Sequence, residues 1–387
     1  MSKITKLKNG IEISKAIISD IMFLYQFRIT KTDFTRMGKS KMKFNSIILF
    51  ILNFVKKSLQ LELDDFFKKI QKGNESISKQ GFSQARQKVS PKAFVYLLDK
   101  VNNWFYSETN FKKYRGYRLL AIDGTVIELH NSEELRNTYG YIKNQNALVA
   151  RARAATLYDV ENDMIIASKI DNYKSSERTM AEELISDMCN IGKYNDLILF
   201  DRGYPSRDLI NFIEERDVKY LMRVSSRFLF EVVNTRYSDE IIQVKYKGKI
   251  IKMRVIKLTL DSGEIETLIT NIYDDNFTIG DFKNLYFKRW GIEIKYNEIK
   301  NKLQIENFSG KTPIAIEQDF YATMYLANMV SLAKQDANEK IDEHYKERNL
   351  KYEYKVNTNI LIGKLKDKLI LMISSNNPWK RSRILNE

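Results

Sequence analysis

Two stretches of the sequence decide the fold: residues 119–125 read LLAIDGT, and residues 197–204 read LILFDRGY. In each stretch four apolar residues precede an aspartate, Asp123 in the first and Asp201 in the second. Short apolar runs of this kind are typical of buried strands, and open α/β sheets bind ligands beyond the carboxyl ends of their strands. The repeated pattern therefore predicts two strands that each carry a carboxylate to one sheet edge, although a single Asp-Gly pair is also a common turn.

The segments around these stretches predict a mixed α/β sheet with helices on its faces. A hairpin is expected at residues 154–170, helices at residues 176–191 and 206–215, and a further strand at residues 219–224. Alternating apolar and polar residues at 241–246 and 251–256 predict an antiparallel β insertion within residues 226–272.

The sequence before residue 113 predicts a helical region. Its segment 78–89 is typical of a helix-turn-helix with a tight turn at Gly81, in which four polar side chains would face DNA. An ordinary helical bundle with a polar face explains the same segment equally well. The four side chains are Gln84, Arg86, Gln87 and Lys88.

The net charge of +15 is concentrated at the two ends of the chain. Residues 1–120 and 351–387 carry an excess of Lys and Arg, while residues 121–350 are slightly acidic. Basic surfaces of this kind favour a polyanionic partner, most often nucleic acid. Solubility alone, or a membrane-surface patch, would explain the same distribution.

Composition excludes several classes of site. One cysteine excludes an intramolecular disulfide and a cysteine-cluster zinc site, and two histidines make a histidine-based metal site improbable. A bound metal is therefore expected to be a hard ion held by carboxylates. The longest apolar run, residues 47–55, is too short to span a bilayer, and we expect neither a membrane span nor a secretory signal.

A third group of functional side chains follows from the helical pattern of residues 281–303, which predicts one long helix. At about 100° per residue, Tyr286, Arg289, Glu293 and Lys300 share one stripe at the edge of the buried face. A carboxylate there can bind metal, and the other three groups can hold phosphate. A solvated face with an Arg289–Glu293 pair is the simpler interpretation of this helix taken by itself.

Together these motifs resemble those of the DDE transposases of the insertion-sequence-four type. The resemblance rests on residues 123–125 (DGT), on residues 201–204 (DRGY) and on the family's Y-x2-R-x3-E-x6-K signature, which Tyr286, Arg289, Glu293 and Lys300 complete. Trp290, directly after the arginine, and residues 305–310 (IENFSG) also match the family. The resemblance covers roughly residues 75–335 and implies a ribonuclease H-like mixed sheet.

The resemblance also implies roles for these residues. Asp123, Asp201 and Glu293 would form the catalytic, metal-binding triad and hold two Mg²⁺ ions, for which Mn²⁺ would substitute. Four further side chains would hold and shape the DNA end near the active site. These are Tyr286, Arg289, Trp290 and Lys300.

The implied function is cut-and-paste movement of an insertion sequence. The partners would be double-stranded DNA, as terminal inverted repeats and as target, and a second copy of the chain in a homodimer that bridges two ends. A hairpin step normally needs an aromatic in the β insertion; residues 226–272 contain no Trp, so one of three other aromatics would serve. These are Phe228, Phe230 and Tyr237.

The resulting expectation for the chain has three parts. Residues 1–112 would form a helical DNA-binding domain, residues 113–335 the catalytic domain interrupted by the β insertion, and residues 336–387 a helical basic C-terminal region. The protein would be cytoplasmic in a prokaryote. Two alternatives stay open: a catalytically silent protein that binds DNA ends, and a ribonuclease H-like nuclease that acts on junctions or hybrids.

Overall fold

The computed structural model describes most of the chain. Parts of the predicted N-terminal and C-terminal regions lie outside the described residues. The described residues are 5–35, 42–53, 58–70, 77–143, 145, 147–192, 194–260, 262–346 and 354–386.

Helices account for most of both ends of the chain. They are α1 Lys6–Ser19, α2 Ile21–Phe27, α3 Phe44–Ile51, α4 Leu59–Ile70, α5 Lys79–Arg86, α6 Lys92–Glu108, α7 Glu133–Tyr139, α8 Glu177–Met188, α9 Arg207–Glu214, α10 Phe230–Val233, α11 Ile279–Phe287, α12 Trp290–Asn297, α13 Pro313–Tyr345, α14 Thr358–Ser374 and α15 Pro378–Asn386. A 3₁₀ turn, Cys189–Ile191, follows α8, and a π-helical segment, Glu298–Lys302, follows α12.

Strands occupy the middle of the chain. They are β1 Arg118–Glu128, β2 Tyr141–Lys143, β3 Leu148–Asp159, β4 Met164–Asn172, β5 Asp196–Phe200, β6 Lys219–Val224, β7 Asp239–Tyr246, β8 Lys249–Thr259 and β9 Ile265–Thr270.

The chain divides into two compact units. The helical unit comprises Met1–Thr109, Ile127–Ala152 and Asn297–Glu387. The sheet unit comprises Asn110–Val126 and Arg153–Tyr296. Both boundaries within the strand region fall inside a strand, since β1 and β3 each contribute residues to both units.

The helical unit is built around α13, whose first two-thirds are almost entirely buried. Thr312 caps this helix and Pro313 begins it, a pairing that suits the unbonded first turn. Helices α1, α3, α6 and α14 pack against α13. Two buried polar contacts tie them to it: Tyr325 shares a hydrogen bond of 2.6 Å with Ser14, and Asn328 donates to Asn102 at 2.9 Å.

Arg86 is a structural residue of this unit. Its side chain is 1% exposed and donates to Gln318 Oε1 at 2.7 Å and to Asp319 Oδ1 at 2.7 Å. Gln87 likewise turns inward and donates to Thr312 at 2.8 Å. The prediction that these two side chains face DNA is therefore wrong, because α13 and the loop before it supply their partners. Gln84 and Lys88 are exposed.

The tight turn predicted at Gly81 is also wrong. Gly81 lies inside α5, and its N–H donates to the hydroxyl of Ser78, which caps that helix. The serine therefore begins a helix at the point where the glycine suggested a break, because its hydroxyl accepts a hydrogen bond from an otherwise unbonded N–H of the first turn.

The described strands form one mixed sheet in the order β2-β3-β1-β5-β6-β9-β8-β7, and β4 also pairs with β3. β1, β5 and β6 are parallel, while β6, β9, β8 and β7 pair antiparallel. The parallel strands are apolar along most of their length, as strands covered on both faces should be. Helix α8 packs on β4, and α9 packs on β6.

Most strand predictions are confirmed. Residues 196–200 and 219–224 form β5 and β6, and the predicted hairpin forms β3 and β4. The β insertion is confirmed as β7 and β8, which β9 joins to the same sheet.

The register of β1 against β5 is set by a buried ion pair at one end. Arg118 lies opposite Asp196, and its guanidinium donates to both carboxylate oxygens at 2.6 and 3.0 Å. Burial raises the pKa of Asp196 more than Arg118 lowers it, so the pair is costly to bury. At the other end Ile122 lies opposite Phe200, which makes Asp123 and Asp201 the next residues along.

Across the residues that the structure describes, no helix combines the length and the apolarity needed to cross a bilayer.

Asp196→Ala should destabilise the protein strongly, because it leaves the guanidinium of Arg118 buried without its carboxylate. Removing one partner of a buried pair typically costs about 3–5 kcal/mol. Glu215→Ala, which breaks an exposed pair with Lys249, should cost less than about 1 kcal/mol. Urea unfolding of both variants tests this, and equal losses would contradict it.

Two glycine substitutions should have opposite signs. A Cβ at Gly310 would lie 2.4 Å from the Cβ of Ala315 and 3.0 Å from Arg86, so Gly310→Ala should cost about 1–3 kcal/mol through overpacking. A Cβ at Gly363, exposed within α14, would meet nothing within 4 Å, so Gly363→Ala should add about 0.5–1 kcal/mol. Thermal unfolding of the two variants measures the contrast, and a loss at both positions would refute the local explanation.

Candidate active site

Asp123 and Asp201 lie at one edge of the sheet, where the pairing of β1 with β5 ends. Parallel neighbours are about 5 Å apart, so the register brings the two aspartates side by side. Asp201 follows β5, as predicted. Asp123 was predicted to end its strand, but β1 continues to Glu128. What ends at Ile122 is the pairing with β5, so Asp123 is the first residue of β1 beyond that pairing.

Hydrogen bonds hold both aspartates in place. The N–H of Gly124 donates to Asp123 Oδ1 at 2.9 Å, and the hydroxyl of Tyr286 donates to Asp201 Oδ1 at 3.2 Å. Tyr296 donates to the carbonyl oxygen of Asp123 at 2.8 Å. The ring of Tyr296 is buried. Its bond to Asp123 had no sequence signal, because periodicity reports which face is buried and not what the hydroxyl meets.

The long helix predicted over residues 281–303 is wrong in its continuity. α11 ends at Phe287, α12 begins at Trp290, and a π-helical segment follows from Glu298. Bonds of the i→i−3 type span the break, including Arg289 N–H to the carbonyl of Tyr286. Gly291 sits just after the break, and a Cβ there would lie 3.1 Å from Val160. The close approach of the backbone to β3–β4 therefore favours glycine, a weak helix former.

The break nevertheless keeps Tyr286, Arg289 and Glu293 together. Arg289 is nearly buried and donates to Glu293 Oε1 at 2.8 Å. Its guanidinium carbon lies 5.8 Å from the ring centre of Tyr286 and 6.0 Å from that of Trp290. Trp290 itself is 60% exposed, so an aromatic surface flanks the guanidinium.

Lys300 is the remaining predicted site residue. It lies in the π-helical segment, which belongs to the helical unit, and its ammonium is 4.0 Å from the carboxylate of Glu306.

Electrostatics links the three carboxylates. Burial raises the pKa of Asp123 to about 6, and Gly124 N–H and Arg289 oppose the shift, while the charges of Glu293 and Asp201 add to it. The three carboxylates therefore repel one another, and the guanidinium of Arg289 offsets part of that repulsion at Asp123. Within the part of the chain that the structure describes, no three acidic groups form a ready-made metal cluster.

The residues fit a hard divalent ion by their chemistry. Their donors are carboxylate oxygens, which such ions prefer, and a cation would relieve the repulsion that Glu293 and Asp201 exert on Asp123. Glu293 is engaged by Arg289, so it would have to leave that partner to reach an ion.

Sequence reasoning missed Glu177, the first residue of α8. A Cβ on Gly124 would lie 3.2 Å from Glu177 Oε1, and one on Gly203 would lie 3.8 Å from Oε2. The available signal was the glycine within each aspartate motif, since such glycines often mark a close approach.

Comparison with known proteins defines the class. The family model of the transposase DDE domain matches residues 114–329, and the chain belongs to this family. The insertion-sequence-four resemblance is confirmed by the transposase InsG for insertion sequence element IS4 of Escherichia coli (strain K12), which is 25% identical over 268 residues. That match covers 64% of this chain and 59% of InsG, so the chain spans about three-fifths of its relative's length.

A solved structure confirms the ribonuclease H-like fold. The cryo-EM structure of a piggyBac transposase synaptic complex with hairpin DNA matches with a TM-score of 0.53 and 10% sequence identity. The match covers 97% of this chain and 84% of the other.

Asp123→Asn should stabilise the metal-free protein at high pH. Because the folded pKa of about 6 lies above the ordinary value of 3.8, proton binding favours folding, and that stability is lost as pH rises through 6. At 1.36 kcal/mol per pKa unit, the variant should gain up to about 3 kcal/mol at pH 8 and about 1.4 kcal/mol less at pH 5.

The check is urea unfolding at both pH values with EDTA present. Asp208→Asn, an exposed aspartate on α9, serves as the control and should show no such gain. A gain from Asp123→Asn that does not change with pH would contradict the prediction.

Proposed function

We propose that the protein is a DNA transposase that moves an insertion sequence by cutting double-stranded DNA at its terminal inverted repeats and joining the freed ends to target DNA. The observation that carries the proposal is a transposase DDE domain in which Asp123 feels the charges of Asp201, Glu293 and Arg289, with Arg289 bound to Glu293. The basic ends of the chain suit a DNA partner.

The catalytic residues in this proposal are Asp123, Asp201 and Glu293, which would hold two Mg²⁺ ions, with Mn²⁺ as a substitute. Bound there, such ions activate a water or a 3′-hydroxyl and stabilise the leaving oxygen of a phosphodiester. Tyr286 would keep Asp201 oriented through its hydrogen bond.

Arg289 and Glu293 would exchange partners when DNA binds. Without DNA, the guanidinium of Arg289 and the carboxylate of Glu293 neutralise each other in an ion pair of 2.8 Å. Once Glu293 turns to an ion, the guanidinium is left to grip a phosphate bidentately. Trp290 would shape the pocket beside it, and Lys300 would contribute a further cation for the DNA end.

The reaction would proceed as successive phosphodiester exchanges, each of which forms one P–O bond and breaks another. Water cuts one strand at the transposon end and frees a 3′-hydroxyl. That hydroxyl attacks the opposite strand to give a hairpin, a second water reopens it, and the end then attacks target DNA. Phe230 and Tyr237 are 80% and 69% exposed in the β insertion, which suits them to stack a flipped base better than the half-buried Phe228.

Two ends require two active sites, so a homodimer is the proposed working form. The piggyBac transposase structure is of a synaptic complex, which supports this arrangement. The helical N-terminal region, through exposed side chains such as Gln84 and Lys88, would recognise the terminal repeats.

Asp201→Ala and Glu293→Ala should each abolish cleavage while DNA binding persists. Loss of a metal-holding carboxylate is expected to slow cutting by at least about a thousandfold. The assay uses DNA that flanks this gene, with Mg²⁺, on a denaturing gel, and a separate band-shift measurement in EDTA. Asp208→Ala, an exposed acid bound to Lys247, is the matched control and should cut normally.

Three results would overturn all or part of the proposal. Unimpaired cleavage by Asp201→Ala would remove the triad. A wild type that binds ends but never cuts them with Mg²⁺ or Mn²⁺ would be the catalytically silent protein. Equal cutting of RNA–DNA hybrids and transposon ends would indicate a ribonuclease H-like nuclease instead.

A further inference from the structure

Glu177 occupies a position between the two segments that carry the aspartates. Its carboxylate lies over Gly124, which follows Asp123, and beside Gly203, which follows Asp201 by two residues. Cγ and Cδ of Glu177 are also within 3.4 Å of where a Cβ on Gly124 would stand. The side chain therefore lies against both segments, closely at Gly124 and at ordinary van der Waals distance from a Cβ at Gly203.

At Gly124 the limit on a larger residue is space and not backbone conformation, whereas Gly203 has room for a methyl group. Neither Gly124 nor Gly203 has a positive φ, so an alanine could adopt the backbone of either residue. A methyl group at Gly124 would instead press on Glu177, because 3.2 Å is a tight distance for a Cβ contact, and the glutamate side chain would have to move by a few tenths of an ångström.

The first turn of α8 holds the Asp201 segment by a second means. Arg178, next to Glu177, donates to the carbonyl oxygens of Tyr204 and Gly203 at 3.0 and 3.1 Å. The Tyr204 side chain is buried and packs on Phe200, with ring centres 5.7 Å apart. The segment from Asp201 to Tyr204 thus packs on the sheet at one end and accepts hydrogen bonds from the first turn of α8.

Arg153 on β3 holds Glu177 itself. Its guanidinium donates to Glu177 Oε1 at 2.8 Å, while the glutamate side chain is 39% exposed. The capped start of α8 and this ion pair fix the glutamate from two directions. Its orientation toward the glycines is therefore set before any ligand arrives.

We infer that Glu177 is a positioning residue, which holds the backbones after Asp123 and Asp201 at the separation that a divalent ion needs. The inference rests on the proposed function, since it assumes that these aspartates hold the ion. Supporting residues around a metal site typically change metal affinity by 10–100-fold when removed.

The test is a titration of the full chain with MgCl₂, without DNA, followed by thermal unfolding. Glu177→Ala should raise the Mg²⁺ concentration for half the stabilisation by at least about tenfold. Glu177→Gln, which keeps the shape but loses the charge that pairs with Arg153, should shift it less. The control is Glu183→Gln, on the same helix as Glu177, which removes a 2.8 Å ion pair with Lys169. This variant should stay within about twofold of wild type.

A double-mutant cycle separates positioning from general damage. Gly124→Ala should weaken Mg²⁺ binding in the wild type, but in the Glu177→Ala background, where the clash is gone, it should add less than a twofold change. The cycle also keeps the inference testable if either single variant unfolds at a lower temperature. Equal effects of Gly124→Ala in both backgrounds would overturn it.

Asp201→Asn distinguishes failure of the inference from failure of the proposed function. If Asp201→Asn removes the Mg²⁺ response and Glu177→Ala leaves it within twofold of wild type, the positioning role is refuted and the triad stands. If Asp201→Asn leaves the response intact, the metal assignment itself is refuted, and the role of Glu177 falls with it.

Discussion

The ion pair between Arg118 and Asp196 is the constraint on which the site depends. It is buried at the point where β1 and β5 begin to pair, and it fixes the register in which Arg118 lies opposite Asp196. A slip of one residue would leave a buried guanidinium without its carboxylate and would turn every side chain of one strand to the opposite face. Because the register holds, the aspartates that follow the last paired residues meet at one edge.

The site that results is electrostatically costly. Asp123 is held where burial and the charges of Glu293 and Asp201 all oppose its ionisation, so its pKa rises to about 6. Arg289 relieves only part of this repulsion. Such a site is less stable when empty than a neutral one would be, and that cost favours the binding of a cation. The negative charge of these carboxylates destabilises the empty site and also provides the attraction for a divalent cation.

The sequence predicted the strands around the site better than the helices. The strands were predicted well from the apolar runs before Asp123 and Asp201 and from the alternation in the β insertion. Residues that a strand buries are mostly apolar, so burial can be read from the residue types. The break before Trp290 did not show in the periodicity, since it depends on how closely Gly291 approaches Val160. Arg86 was misassigned for a related reason: its partners, Gln318 and Asp319, are more than 230 residues away in sequence.

The candidate site shows the same division. Helical spacing placed Tyr286, Arg289 and Glu293 on one stripe, and the family resemblance gave them their roles. They remain close together although the predicted helix is interrupted. Glu177 lies about 50 residues from Asp123 and has no motif of its own. Only the glycines after the aspartates hinted that another side chain approaches there. Long-range contacts of this kind require the tertiary structure.

The most direct test of the account is to locate the metal. Crystals of the full chain grown with cleaved end DNA and Mn²⁺ would give an anomalous difference map at the manganese edge. The account predicts density bound by Asp123 and Asp201, with Glu293 turned away from Arg289 toward it. Manganese bound elsewhere, with the Arg289–Glu293 pair still closed and the DNA end placed away from the two aspartates, would contradict it.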